Sequence, residues 1–102
     1  MKTYELGWAR VVDGKWDEAV EWSRELDDYF ESKGWYPGYL LEPMKEDKSG
    51  EMAWVFEFES PAAYEEWYGT IHADAGVKER LSRMGDLFVA GTARFTAYKL
   101  VY

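Results

Sequence analysis

The sharpest alternation of apolar and polar positions runs from Met52 to Glu59. Met52, Trp54, Phe56 and Phe58 fall on one side, and Ala53, Val55, Glu57 and Glu59 on the other. A period of two marks a strand, here with one strongly apolar face and one mixed face. Ser60-Pro61 ends it, because serine caps helices well and proline suits the first helical position. Tyr64, Trp67, Tyr68 and Ile71 then recur at i, i+3, i+4 and i+7, one stripe of a helix facing the same way as Trp54. This helical pattern runs to about Gly69–Ile71, and the stripe closes at His72, the single histidine of the chain. Asp74 is a second good N-cap, after which Val77, Leu81 and Met84 carry the stripe on to Gly85. The spacing therefore predicts a helix broken near His72–Asp74.

Thr3–Val12 also alternates, with Tyr4, Leu6, Trp8, Arg10 and Val12 in one row and Thr3, Glu5, Gly7, Ala9 and Val11 in the other. Apolar residues in both rows predict a central strand covered on two sides. Gly7 and Ala9 leave room for a bulky group to lie close, either a partner's side chain or a ligand. Asp13-Gly14 follows, and Asp13 is the expected cap of a helix running to about Lys33, with Gly34 as its C′ residue. Its inward stripe is Trp16, Ala19, Val20, Ser23, Leu26 and Phe30, flanked by Trp22 and Tyr29. Trp35–Met44 is extended but interrupted by Pro37-Gly38 and stopped by Pro43, which places it at a sheet edge or makes it bulged. Lys45–Glu51 is a polar turn joining it to the next strand as a hairpin. Asp86–Gly91 is expected to be a loop with Leu87, Phe88 and Val89 tucked inward, and Thr92–Tyr102 alternates as a last strand.

The predicted order is β-α-β-β-α-β, a ferredoxin-like α+β fold: a four-stranded antiparallel sheet with helices on one face and the second helix broken. No element covers the other face. Since that face also carries apolar residues, sheet-to-sheet pairing into a homodimer is expected.

Composition narrows the function classes. The 102 residues make one domain, 1–102. A net charge of −8 argues against nucleic acid and against an anionic membrane surface as partners, because both require a cationic face. The absence of cysteine removes disulfides, thiolate nucleophiles and thiolate metal sites. With no hydrophobic signal region at the N-terminus and no membrane-length apolar run, a cytoplasmic protein is expected. Aromatic residues make up 19% of the chain and include six tryptophans, more than a small core easily hides, which points to a ligand cavity, a self-association surface, or both.

The run FESPAAYEEWYGTIHADAGVKERLSRMGDLFVAGTARFTAYKLV, following a β-α-β-β unit, resembles the dimeric α+β barrel superfamily, especially its NIPSNAP-like and antibiotic-biosynthesis-monooxygenase-like members. The resemblance implies a dimeric α/β barrel in which each protomer keeps a cavity between sheet and helices. It also implies binding of a small hydrophobic or aromatic molecule there, in some members with cofactor-independent monooxygenation, in others with haem. The haem-degrading members use an Asn, Trp and His constellation. Trp67 and His72 match it only in part, being five residues apart in a chain that contains no asparagine. A single histidine and no cysteine cannot assemble a usual zinc site, so no metal is expected. The candidate catalytic residues are His72 and Trp67. Tyr64, Tyr68, Trp54, Arg10 and Arg94 are candidate ligand-binding residues, able to line an apolar cavity and stabilise a phenolic anion. No cofactor is expected, and a binding or interaction module without turnover remains the alternative.

Overall fold

The computed structural model describes residues 1–44 and 50–102. The elements are β1 (Thr3–Arg10), α1 (Trp16–Ser32), β2 (Gly38–Leu41), β3 (Glu51–Phe58), α2 (Pro61–Ala73), α3 (Ala75–Leu81), α4 (Met84–Leu87) and β4 (Arg94–Lys99). The strands form one antiparallel sheet in the order β2-β3-β1-β4, the ferredoxin-like arrangement, so the first strand is central and the short β2 lies at an edge.

Register decides which residues share a face. Glu5 stands opposite Phe56 and Ala97, and Gly7 opposite Trp54 and Phe95. Met52, Trp54 and Phe58 on this face are buried together with Ala9, under Ala19, Trp22 and Phe30 of α1 and Trp67 and Ile71 of α2. The other row of β1 pairs with the other row of its neighbours: Trp8 with Ala53 and Arg94, Tyr4 with Glu57 and Tyr98. Tyr39, Leu41 and Tyr98 on that helix-free side are exposed.

The helix ends follow local chemistry. Ser60 takes an extended conformation and its hydroxyl accepts from the Ala63 N–H at 3.1 Å, with Pro61 in the first turn. At Asp74 the backbone returns to the extended region (φ −80°, ψ 128°), which ends α2, and its carboxylate caps α3 by accepting from Val77 N at 3.0 Å. The predicted break thus falls at Asp74, after α2 has run on to Ala73. Tyr29 Oη donates to the same carboxylate at 2.6 Å, tying the corner to α1.

Several boundaries differ from the pattern. Asp13 does not cap α1. Gly14, with φ +81°, closes a turn in which Lys15 N bonds Val12 O at 3.0 Å, so the helix starts at Trp16 without a side-chain cap. Ladder pairing in β2 covers only Gly38–Leu41 of the extended Trp35–Met44 stretch, since Pro37 has no donor and the Gly38 N–H is taken by Asp27 Oδ1 at 2.6 Å. Trp35 packs instead on Phe30 and Tyr29, ring centroids 6.0 and 6.1 Å away. The stripe expected to reach Gly85 is divided between α3 and the one-turn α4. Leu87 and Phe88 are buried as expected, whereas Val89 is exposed. The last strand is shorter than Thr92–Tyr102, because Thr92 Oγ1 accepts from Arg10 N at 3.0 Å in place of a ladder bond. Most of the Lys45–Glu51 turn lies outside the described residues. Among the described residues no helix is long and apolar enough to cross a membrane.

Candidate functional site

The helix-covered face holds two aromatic clusters. In one, Trp22, Trp54 and Phe88 meet edge to face, with centroid separations of 5.4 to 6.3 Å. Trp22 Nε1 donates to Arg80 O at 2.9 Å. Trp54 Nε1 donates to Ser23 Oγ at 3.0 Å, and that hydroxyl donates to Ala19 O at 2.9 Å. Every indole N–H of this cluster has an acceptor, as buried polar groups require.

The second cluster gathers around Trp67. Phe56 and Phe58 lie 4.9 Å from its ring and Phe30 6.0 Å, and Ile71 and Val77 close the packing. Trp67 is 5% exposed, and its Nε1 has no hydrogen-bond partner among the described residues. A buried, unpaired N–H costs about 1–3 kcal/mol relative to a paired one and calls for an explanation.

Beside it lies a cavity of about 190 Å³ between sheet and helices, walled by Trp54, Phe56, Trp67, Tyr68, Phe95 and other apolar side chains, with Glu5 and His72 as polar members. The rings of Tyr68 and His72 pack at a 48° tilt with centroids 4.2 Å apart, and both residues are exposed, so they form the cavity's rim. Tyr64 packs on Trp67 and Tyr68 and donates from Oη to Glu5 Oε2 at 2.8 Å. Burial next to a carboxylate pushes the Tyr64 hydroxyl's pKa well above its usual value, keeping it protonated as a donor.

The structure thus brings Trp54, Tyr64, Trp67, Tyr68 and His72 to one region and leaves two of the proposed ligand contacts outside it. Arg10 and Arg94 are on the helix-free face. Arg10 shares its row with Trp8. Arg94 pairs with Trp8 in register, holds its guanidinium 4.9 Å over that ring and bonds Glu51 at 3.0 Å. The parity of β1 carries this signal, since Arg10 alternates with Gly7 and Ala9. The space above Gly7 is filled by the chain's own Phe95, whose ring a Cβ at Gly7 would overlap. Phe95 in turn stacks on Trp54 at 6.1 Å.

Glu5 is the group that the residue pattern does not single out. It is 6% exposed, and burial raises its pKa above the usual carboxylate range, an effect partly opposed by the Tyr64 hydrogen bond. Among the described residues no group of three His, Cys, Asp or Glu side chains is placed to hold a metal ion. Haem does not fit the residues present. The cavity is smaller than the roughly 300–1,000 Å³ pockets of drug-sized ligands, and the Asn of the haem-degrading constellation is missing.

No protein-family model matches the sequence, and no curated protein matches it. Solved structures do match the fold. SnoaB, a cofactor-independent oxygenase from Streptomyces nogalater, in its N63A mutant form, superposes with a TM-score of 0.73 at 12% identity, over 99% of this chain and 94% of that one. A structure described as an antibiotic biosynthesis monooxygenase gives 0.72 at 12% identity, over 98% and 99%. A protein from Shewanella oneidensis gives 0.68 at 14% identity, over 95% and 88%. The fold is therefore the ferredoxin-like α+β fold of the antibiotic-biosynthesis-monooxygenase-like proteins. At these identities the likeness establishes the fold alone.

Proposed function

We propose that this protein binds a small aromatic molecule in the cavity beside Trp67 and oxidises it as a cofactor-independent monooxygenase in the cytoplasm. The observation that carries the reading is the ring-lined, mostly apolar cavity with Trp67 in its wall, whose buried indole N–H has no partner among the described residues. An aromatic ring suits these walls, and a ligand oxygen that reached the indole N–H on binding would supply the acceptor it lacks. An apolar cavity of about 150 Å³ takes a benzene ring, so about 190 Å³ suits one ring or two fused rings. In this chemistry the substrate supplies the electrons and dioxygen is the oxidant. One oxygen atom enters the product and the other leaves as water. Trp67 orients the ligand, Tyr68 stacks at the entrance, and His72 at the rim serves as hydrogen-bond partner or base. The description of SnoaB as a cofactor-independent oxygenase supports the reading.

The test is oxygen uptake by the purified protein with 1,4-dihydroxynaphthalene. Uptake above the spontaneous rate, lost in Trp67→Ala, is expected. Binding without uptake would make the protein a ligand-binding module instead, and a Soret band in the purified protein would favour haem.

The helix-free sheet face supports a homodimer, because Tyr39, Leu41 and Tyr98 stand exposed on it beside Trp8, Leu6 and Val55. Light scattering at micromolar concentration should return twice the protomer mass, and a stable monomer would rule the dimer out.

A further inference from the structure

Glu5 sits where a carboxylate is expensive, in the middle of the central strand, facing α2 across an aromatic cavity. An apolar residue would fill this position at less cost, and Phe56 and Ala97 directly across the ladder are both apolar. Tyr64 Oη occupies Oε2, and no other described residue bonds the carboxylate, which leaves Oε1 without a partner. The titratable groups facing it are Tyr64, Tyr68 and His72 of α2, with Lys99 one row further along the sheet. α1 presents Trp22, Leu26 and Phe30 to the cavity, and α3 presents Val77 and Leu81, none of them charged. Among the described residues no cation neutralises Glu5 from above.

Resting on the aromatic-ligand reading given above, the geometry points to Glu5 as the proton acceptor for the hydroxyl of an aromatic ligand bound in the cavity. The ligand O–H breaks and an O–H forms on Oε1, with no change in electron count. The product is an aromatic oxyanion in an apolar site, the electron-rich form that dioxygen oxidises. Tyr64 holds the carboxyl group in place and stays protonated, so it acts by positioning. Burial raises the basicity of Glu5, bringing it closer to that of the hydroxyl it serves.

Titration calorimetry with 1-naphthol and with 1-methoxynaphthalene tests this without requiring turnover. The naphthol should bind the wild type at least about tenfold more tightly than the ether, as a hydrogen bond to a charged group implies. Its affinity should rise with pH through the ionisation of Glu5, while that of the ether stays flat. Glu5→Gln, which retains an acceptor for Tyr64, should bring the two ligands close together and remove the pH dependence. If the wild type binds both with equal, pH-independent affinity, or Glu5→Gln leaves the naphthol's advantage intact, the assignment of Glu5 is overturned while the cavity stands. If neither ligand binds the wild type, the aromatic-ligand reading itself fails, and the role of Glu5 with it.

Discussion

The two aromatic clusters under the helices are built from the same materials and finished differently. Around Trp22 and Trp54 each indole N–H ends on an oxygen within 3.0 Å. Around Trp67 the indole N–H ends on nothing among the described residues, and the neighbouring carboxylate has one of its two oxygens bonded. Ring packing alone would not separate them, for the rings are closely packed in both, with nearest centroids 5.4 Å apart in one and 4.9 Å in the other. What separates a core from a site here is the satisfaction of polar atoms.

Substitution can break the contrast. Trp54→Ala should lower the unfolding free energy by about 3–5 kcal/mol, as for a buried core aromatic, even though one side of its ring walls the cavity, and this is measurable by urea denaturation. Trp67→Ala should fall below that range, because it removes an unpaired donor along with its packing, and it should abolish naphthol binding. A full-sized stability loss with binding unchanged would place Trp67 with the core. A milder pair sharpens the same point. Trp54→Phe gives up a hydrogen bond of about 1 kcal/mol that Trp67→Phe does not have to lose, so Trp54→Phe should be the more destabilised.

Asp74→Ala should cost about 1 kcal/mol through the lost cap, with faster amide exchange confined to α3. Its carboxyl pKa lies below the ordinary value, chiefly through the Tyr29 hydrogen bond. That contribution is therefore present above the unfolded-state pKa and fades as pH falls through the folded one.

The smallest effect has the opposite sign. Burial raises the pKa of Glu5, so the native state binds more protons than the unfolded state between the two values, and stability declines as pH rises through that window. Glu5→Gln should melt higher than the wild type at neutral pH, the gap closing in acid. A lower melting point at neutral pH would contradict the penalty.

Much of this fold was legible from periodicity because its signals are local. The faces of β3, the Ser60 and Asp74 caps and the positive-φ Gly34 each depend on residues a few positions apart. Asp13 misled because a capping side chain is equally at home in the turn before a helix. The site was less legible. A glutamate in a mixed strand row reads as solvent-facing, and only the passage of α2 over β1 at Tyr64 buries it. The placement of Arg94 likewise needed the pairing of the first and last strands, which no local window contains.

That pairing bears on how the molecule assembles. β1 leaves the ribosome before its partners, yet its ladders are with β3 and β4, and β4 is nearly the whole described length away. Neither edge of β1 can close until those distant segments arrive, so loop-closure entropy is met before most contacts form. Folding should be slow beside that of a helical bundle of equal length. While the nascent chain waits, the apolar rows of β1 are open to other strands, the interval in which a chaperone would matter most.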